Sequence, residues 1–450
     1  MLPRIFAFFA VLAAADTTRA GVESFRLENG PLVLVNSMDG ACDVAMETVY
    51  DVGFIHEPEN LPQASHLLEH LICYSPAAGF GDRDAMQFLN RMGSANAETL
   101  PALTHYDYVV PKQEFPTAVR IEADRLRRFS VDRVVLEREA KRCYQEVAFV
   151  EANPQAGLLK HAFMACSHAW RFQSSRVMLR SGMESYRSED LQDFHARFYN
   201  PKHLIISISG AISADDARKI LNAELGAIKS RDADFKMVDW SKVPVRHAIR
   251  WDAGVRGLCI AWPPPKSAEE RTSLSVLGLH AMRSLVSDSE LPAKCHHVSC
   301  SNTTWPVGEL PLFVYAALKE TADTADVERL LTRRFEIALK GAATEAALMV
   351  PALRMQAQRS TTWAEMQEAS GSLVRLGRKP EEAIRLCLLQ DALNRVIFHE
   401  VLGRETDVQP NPSPMDARGF EKLIHRTVST DPGRVVNILP LNEQKAGRDK

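Results

Sequence analysis

Residues 65–74 read SHLLEHLICY, which places His66, Glu69 and His70 among Leu67, Leu68, Leu71 and Ile72. On a helix the two histidines, four apart, lie one turn above each other, so both rings can reach one ion. Zinc takes imidazole nitrogens at ~2.0–2.1 Å, and a catalytic site needs a third protein ligand and an open position for water. Glu69, three residues after His66, lies on the same side but offset. A carboxylate there can take a proton from water polarised by the ion without itself being a ligand. Two histidines and a glutamate are costly to bury on a leucine-rich helix unless a charge compensates them, and a metal supplies that charge. Composition alone would produce H-x-x-E-H about 0.03 times in such a chain, so chance is a poor explanation.

The third ligand must come from elsewhere. Residues 136–155, LEREAKRCYQEVAFVEANPQ, read as part of a long helix carrying Glu137, Glu139, Glu146 and Glu151. Glu139 and Glu146 are two turns apart and so project from nearly one face. Most glutamates on such a helix face solvent. Val147, Ala148 and Phe149 make Glu146 the less exposed choice.

The elements that must position these residues follow from periodicity. FRLENGPLVLVN alternates apolar residues around Asn29-Gly30, which predicts a hairpin with a two-residue turn. Strands are expected in AMETVYDVGFI, SANAETL, THYDYVVP and HLIISISG, and helices over 62–73, 82–91 and, as two long segments meeting near 130–132, over 115–151. The second half repeats that order: strands in HAIRWD, GLCIAWPP, HHVSCSN and PLFVYAALK, helices over 268–286, 324–405 and 415–427, and a last strand in RVVNILPL. The fold class is therefore α+β, with two related domains, each a sheet packed with helices. The expected division is 21–230 for the metal-binding domain, 231–248 for a charged linker and 249–450 for a second domain without a metal motif.

A formal net charge of −3 gives no case for nucleic acid or an anionic membrane as partner. Arg4 followed by the apolar run Ile5–Ala15 and a small-residue exit reads as a signal peptide over residues 1–20. A mitochondrial presequence would carry more arginine. The run is shorter than a bilayer needs, and no later segment is long enough for stable membrane insertion. Export to a periplasm or secretion is the corresponding expectation. Eight cysteines are too few for a disulfide scaffold. Cys295 and Cys300, in KCHHVSC, could stay as thiols, oxidise as a pair or join a metal site.

Taken together these residues resemble the pitrilysin/insulysin metallopeptidase family, in its small-subunit branch with mitochondrial processing peptidase and bacterial exported relatives. That family inverts the H-E-x-x-H order and carries a ligand glutamate well downstream; here Glu146 follows His70 by 76 residues. The resemblance implies one Zn²⁺ per chain held by His66, His70 and Glu146, with Glu69 as general base and Glu139 as a further essential acid. MGSANAETLPALTHYDY resembles the family's substrate-binding edge, with Asn96, Ala97, Thr99, Thr104 and Tyr106 on the pattern. The implied activity is zinc-dependent endopeptidase chemistry on peptides or unfolded segments, which add a strand near Asn96 and are enclosed by the second domain in a clam-like chamber.

Two departures stand out. Gln63 occupies a position where the family usually has glycine. Active relatives also use an arginine and a tyrosine of the second domain to hold the substrate carbonyl, and alignment puts Pro292 and Ser299 there. The expectation that follows is a heterodimer in which a related second subunit supplies the Arg/Tyr pair, a homodimer being the other arrangement. The competing expectation is a non-catalytic subunit that holds peptides or stabilises a related peptidase.

Overall fold

The structure, a computed structural model, describes residues 21–58, 60–127, 129–152, 157–158, 161–162, 183, 185–231, 240–251, 255–301, 311–402, 422, 428 and 433–440. The expected signal peptide, and most of the helix expected over 415–427, lie outside the described residues.

The first half runs β1 (Glu23–Arg26), β2 (Leu32–Ser37), β3 (Asp43–Tyr50), α1 (Ala64–Tyr74), α2 (Asp84–Met92), β4 (Ser94–Thr99), β5 (Thr104–Pro111), α3 (Phe115–Arg127), α4 (Arg133–Ala152), α5 (Ser188–Phe198), β6 (Leu204–Gly210) and α6 (Ala214–Leu225). Its strands form one sheet in the order β1-β2-β6-β3-β5-β4. Among the described residues only β2 and β6 of this sheet pair in parallel. Side chains alternate between the faces of a strand. Met46, Tyr50, Tyr106 and Tyr108 therefore share one face and pack with Leu67, Leu68 and Leu71 of α1.

The second half runs β7 (Arg246–Trp251), β8 (Arg256–Ala261), α7 (Ala268–Val286), α8 (Leu291–Lys294), β9 (Cys295–Cys300), β10 (Phe313–Leu318), α9 (Thr324–Gln358), α10 (Trp363–Arg375), α11 (Pro380–Leu402) and β11 (Arg434–Pro440). The sheet order is β7-β11-β8-β10-β9, again with one parallel pair, β7 with β11. Set β1 aside and the two orders match strand for strand, so the two halves are related α+β units. Helix α7 joins β8 to β9 as α1 joins β3 toward β4, but it carries no His-x-x-Glu-His.

One arrangement was not foreseeable from the chain order. Helices α10 and α11 of the second half cover the far face of the first sheet. There Val396 packs with Leu32, Leu34, Val49, Leu103 and Ile205, and Leu388, Ala392 and Met366 with Met38, Ala45 and Val109. Asp391 pins α11 to that face, accepting hydrogen bonds from Asn36 (2.8 Å), Ser209 (2.7 Å), Thr361 (2.7 Å) and Arg395 (2.9 Å). Conversely, Ile55, Ala102, Leu158 and Ala162 pack against Phe313, Tyr315 and Ile438 of the second sheet.

The β1–β2 connection corrects the expected two-residue turn. Leu27 N–H donates to Pro31 O at 3.0 Å, but Pro31 has no N–H to return, and Gly30 N–H takes the Leu27 carbonyl instead at 2.9 Å. Gly30 has φ +122°, a conformation that favours glycine, and the Asn29 amide donates to Leu225 O and Ile228 O beyond the end of α6. Cys295 and Cys300 lie buried at the two ends of β9, and among the described residues neither belongs to a group of three metal-ligating side chains.

Candidate active site

Helix α1 begins in a built cradle. Glu57, 6% exposed, accepts hydrogen bonds from Gln63 N (2.7 Å), Ser65 N (3.0 Å) and the Ser65 hydroxyl. A carboxylate on the first N–H groups of a helix satisfies donors that have no intrahelical partner and complements the helix dipole. Gln63 itself has φ +69°, the left-handed conformation that costs a residue with a Cβ about 1–2 kcal/mol. The glycine that the resemblance implies there would adopt this conformation without strain; here the Glu57 carboxylate holds the Gln63 N–H.

On α4, Leu136, Glu139, Ala140, Cys143 and Val147 are buried, a stripe at helical spacing. It brings Glu139, Cys143 and Glu146, at i, i+4 and i+7, toward α1. His70 Nε2 lies 3.3 Å from His66 Nε2 and 3.2 Å from Glu146 Oε2, and His66 Nε2 lies 3.7 Å from the same oxygen. Ligands held tetrahedrally at ~2.0–2.1 Å from zinc sit ~3.3 Å from one another, so these three atoms have the separations of a zinc ligand set. Arg142 Nε donates to the other oxygen of Glu146 at 3.3 Å, which leaves Oε2 to the histidines. His70 is 5% exposed, while the side chains of His66 and Glu146 are 22% and 45% exposed, so the set opens to solvent on one side. Phe149, which was expected to help bury Glu146, is itself exposed, because it falls off the buried stripe.

Glu139 stands behind His70. It is fully buried, with Oε2 3.5 Å from His70 Nδ1 and Oε1 accepting from Arg138 Nε at 2.8 Å. Burial pushes its carboxyl up, but the contacts with His70 and Arg138 outweigh burial and leave it below its ordinary range. For His70, burial pushes the imidazole down, yet Glu139 and Glu146 outweigh that and lift it to about 9 in the metal-free protein. His66 and then His70 hold Glu146 well below the usual carboxylate range.

Cys143 is the residue that sequence reasoning passed over as a buried thiol. Its Sγ lies 3.1 Å from His66 Nδ1, and His66, His70 and Cys143 also form a group whose donor atoms lie within 4.8 Å of one another. We favour Glu146 over Cys143 as third ligand, because the sulfur meets the nitrogen of His66 that is not turned toward His70. Its position midway between Glu139 and Glu146 on one helix face was the available signal. Glu57 was equally legible as an acid ahead of a helix start.

Glu69, 8% exposed, accepts a hydrogen bond from Thr99 Oγ1 at 2.7 Å. Thr99 ends β4, which among the described residues pairs with β5 alone and forms the edge of the sheet. Ala97, two residues earlier, shares Thr99's face and packs against the core, whereas Asn96 is exposed on the other face. Among the described residues the outer edge of β4 is unpaired, and its end lies beside Glu69. Pro292 lies in α8 and Ser299 in β9, where Ser299 is 4% exposed and pairs across the strands with Tyr315. No carbonyl-holding arginine or tyrosine stands at those two positions.

Two family descriptions match the chain: "Insulinase (Peptidase family M16)" over residues 32–178 and "Peptidase M16 inactive domain" over 185–278, together more than half of it. The first match contains every candidate metal-site residue named above. The mitochondrial-processing peptidase subunit beta of Dictyostelium discoideum is 25% identical over 251 residues, 52% of this chain and 51% of that one. The zinc protease PqqE of Helicobacter pylori is 20% identical over 233 residues, 51% of this chain and 52% of that one. The chain thus spans about half the length of the curated relatives it matches. Among solved structures, a protease from Helicobacter pylori superimposes with a TM-score of 0.59 at 14% identity, covering 93% of this chain and 99% of that one. Pitrilysin superimposes with a TM-score of 0.55 at 15% identity, covering 96% of this chain and 46% of that one. These likenesses establish the fold alone. The two matches along its sequence show that the chain belongs to the peptidase M16 family of zinc metallopeptidases.

Proposed function

We propose that the chain is a zinc-dependent endopeptidase subunit acting on peptides or unfolded segments. The observation that carries this reading is the convergence of His66 Nε2, His70 Nε2 and Glu146 Oε2 at ligand-to-ligand spacing, beside the Glu69 carboxylate. Zinc bound there would supply Lewis acidity toward water and toward the peptide carbonyl. Glu139 holds His70 in the tautomer that presents Nε2, and Cys143 engages the outer nitrogen of His66. Glu69, oriented by Thr99, takes the proton of the attacking water and returns it to the leaving amine. An extended peptide adds to the open edge of β4 by backbone hydrogen bonds, with Asn96 and Ala97 along its path. Chelation should abolish cleavage of an unstructured peptide, and added Zn²⁺ should restore it. Cleavage that survives complete zinc removal sinks the proposal.

The domain division proposed is 21–230, 231–248 and 249–450, with residues 1–20 directing export to a periplasm or the exterior. No helix of the described residues is long and apolar enough to cross a membrane. A second reading rests on Pro292 and Ser299: without an arginine and a tyrosine there, the developing oxyanion would lack a contact whose loss typically costs ~10²–10³ in rate. A related second subunit bringing an arginine and a tyrosine would complete the site. The relatives described as beta subunits are compatible with such a pairing. If adding a related partner chain leaves the peptidase rate of this one unchanged, the pairing is wrong. A chain with zinc bound and no turnover in either state would instead be a binding subunit.

A further inference from the structure

The open side of the candidate metal site carries two guanidinium groups that the proposed chemistry does not use. Tyr74, the last residue of α1, lies one turn beyond His70, with the two ring centroids 6.5 Å apart. Arg142 on α4 holds its Cζ 4.9 Å from the centre of the Tyr74 ring, and Arg83, just ahead of α2, holds its own at 5.0 Å. Both distances are those of a cation over an aromatic ring. Two cations gathered on one ring repel each other, so the arrangement favours an anion beside them. Arg142 turns Nε to Glu146 at 3.3 Å, and its side chain is 42% exposed. A guanidinium has five N–H donors in a fork, so contacts with Glu146 and Tyr74 do not exhaust it. Arg83 is exposed, and among the described residues no carboxylate pairs with it. Its neighbour Asp82 is engaged by Arg138 at 3.3 Å, and Asp84 opens α2.

Arg83 is also a strained point of the backbone. Its φ of +67° lies in the left-handed region, which costs a residue with a Cβ about 1–2 kcal/mol. Its N–H donates to Tyr74 O at 3.0 Å, which ties it to the end of α1. Strained residues of this kind cluster at active sites and ligand clamps. We propose that Arg83 and Arg142 form a carboxylate clamp beside the metal site, selecting peptides with a negative charge close to the scissile bond. That charge is an Asp or Glu side chain or the C-terminal carboxylate. The inference rests on the peptidase reading and adds to it the charge of the substrate. Guanidinium forks take carboxylates through paired N–H bonds, with a geometry that an ammonium group does not offer. Glu146 commits Oε2 to the two histidines and meets only Arg142 with Oε1, so a substrate carboxylate is the partner that Arg83 lacks.

The experiment measures peptide affinity by fluorescence anisotropy on the zinc-loaded Glu69→Gln chain, which separates binding from cleavage. The probes are an uncharged, unstructured peptide with an amidated C-terminus, its variants with a single Glu moved through each position, and the uncharged peptide with a free C-terminal carboxylate. A Glu variant or the free-carboxylate form should bind about tenfold tighter than the uncharged peptide, the lower end of what a hydrogen bond between charged groups is worth. Which of the two binds tighter tells a side chain from a terminus as the ligand. Adding Arg83→Gln should abolish that gap and leave affinity for the uncharged peptide as it was, with far-UV circular dichroism as the check on folding. Arg142→Gln should narrow the gap as well. Equal affinity for charged and uncharged peptides, or a gap that persists with Arg83→Gln, overturns the clamp and leaves the peptidase reading standing. A chain that binds no peptide of the set overturns both.

Discussion

Replacing Glu139 by glutamine isolates what a carboxylate behind a ligand is worth. Shape is kept and the charge facing His70 Nδ1 is removed. Outer-shell partners of this kind typically contribute 10–100-fold in metal affinity, about 1.4–2.7 kcal/mol. The 3.5 Å separation is long for a hydrogen bond, so the loss belongs at the lower end, about tenfold or ~1.4 kcal/mol. Arg138 loses one carboxylate but keeps Asp82 at 3.3 Å, and at 39% exposure its charge is solvated, so this adds little. The assay is competition for Zn²⁺ against a chromophoric chelator, with Glu137→Gln, 63% exposed on the same helix, as control. An affinity unchanged within about twofold would refute the role given to Glu139, because a tenfold effect is expected of an outer-shell carboxylate. A loss far beyond 100-fold would make it a ligand rather than a positioning residue.

Further outcomes follow from the geometry. His70 titrates near 9 in the metal-free chain while zinc needs the neutral ring, so binding at pH 7 should release a proton and affinity should rise about tenfold per pH unit up to ~9. Calorimetry in buffers of different ionisation enthalpy reads this. The same raised pKa stabilises the metal-free fold fully below the unfolded value near 6.5, and that contribution fades as pH rises through about 9. Thr99→Val removes a hydrogen bond to the charged base, worth about 1.5–3 kcal/mol, and should lower kcat at least about tenfold with zinc content unchanged. Asp391→Ala leaves Arg395 buried without its carboxylate and should cost ~3–5 kcal/mol in a denaturant titration.

Much of this architecture was legible because the relevant signals are local. His66, Glu69 and His70 announce themselves by helical spacing, and Glu139 and Glu146 by their two-turn separation. The repeated order of strands and helices reflects two sheets of one topology. What escaped depends on tertiary placement. Cys143 reads as any buried thiol until α4 is docked on α1 and its sulfur meets His66. The polar knot at Asp391 forms only because a helix of the second half crosses to the first sheet. The Asn29-Gly30 signal was read correctly as a turn and wrongly as a short one, since Pro31 cannot donate.

The central claim is that Glu69 is the base of a zinc site that hydrolyses peptides. Its most direct test compares wild type and Glu69→Gln at equal zinc content on an unstructured peptide. The account predicts that the variant keeps its zinc and loses at least about 10²-fold in turnover, the contribution expected of a positioned general base. A Glu69→Gln chain that keeps zinc and cleaves at the wild-type rate would contradict it.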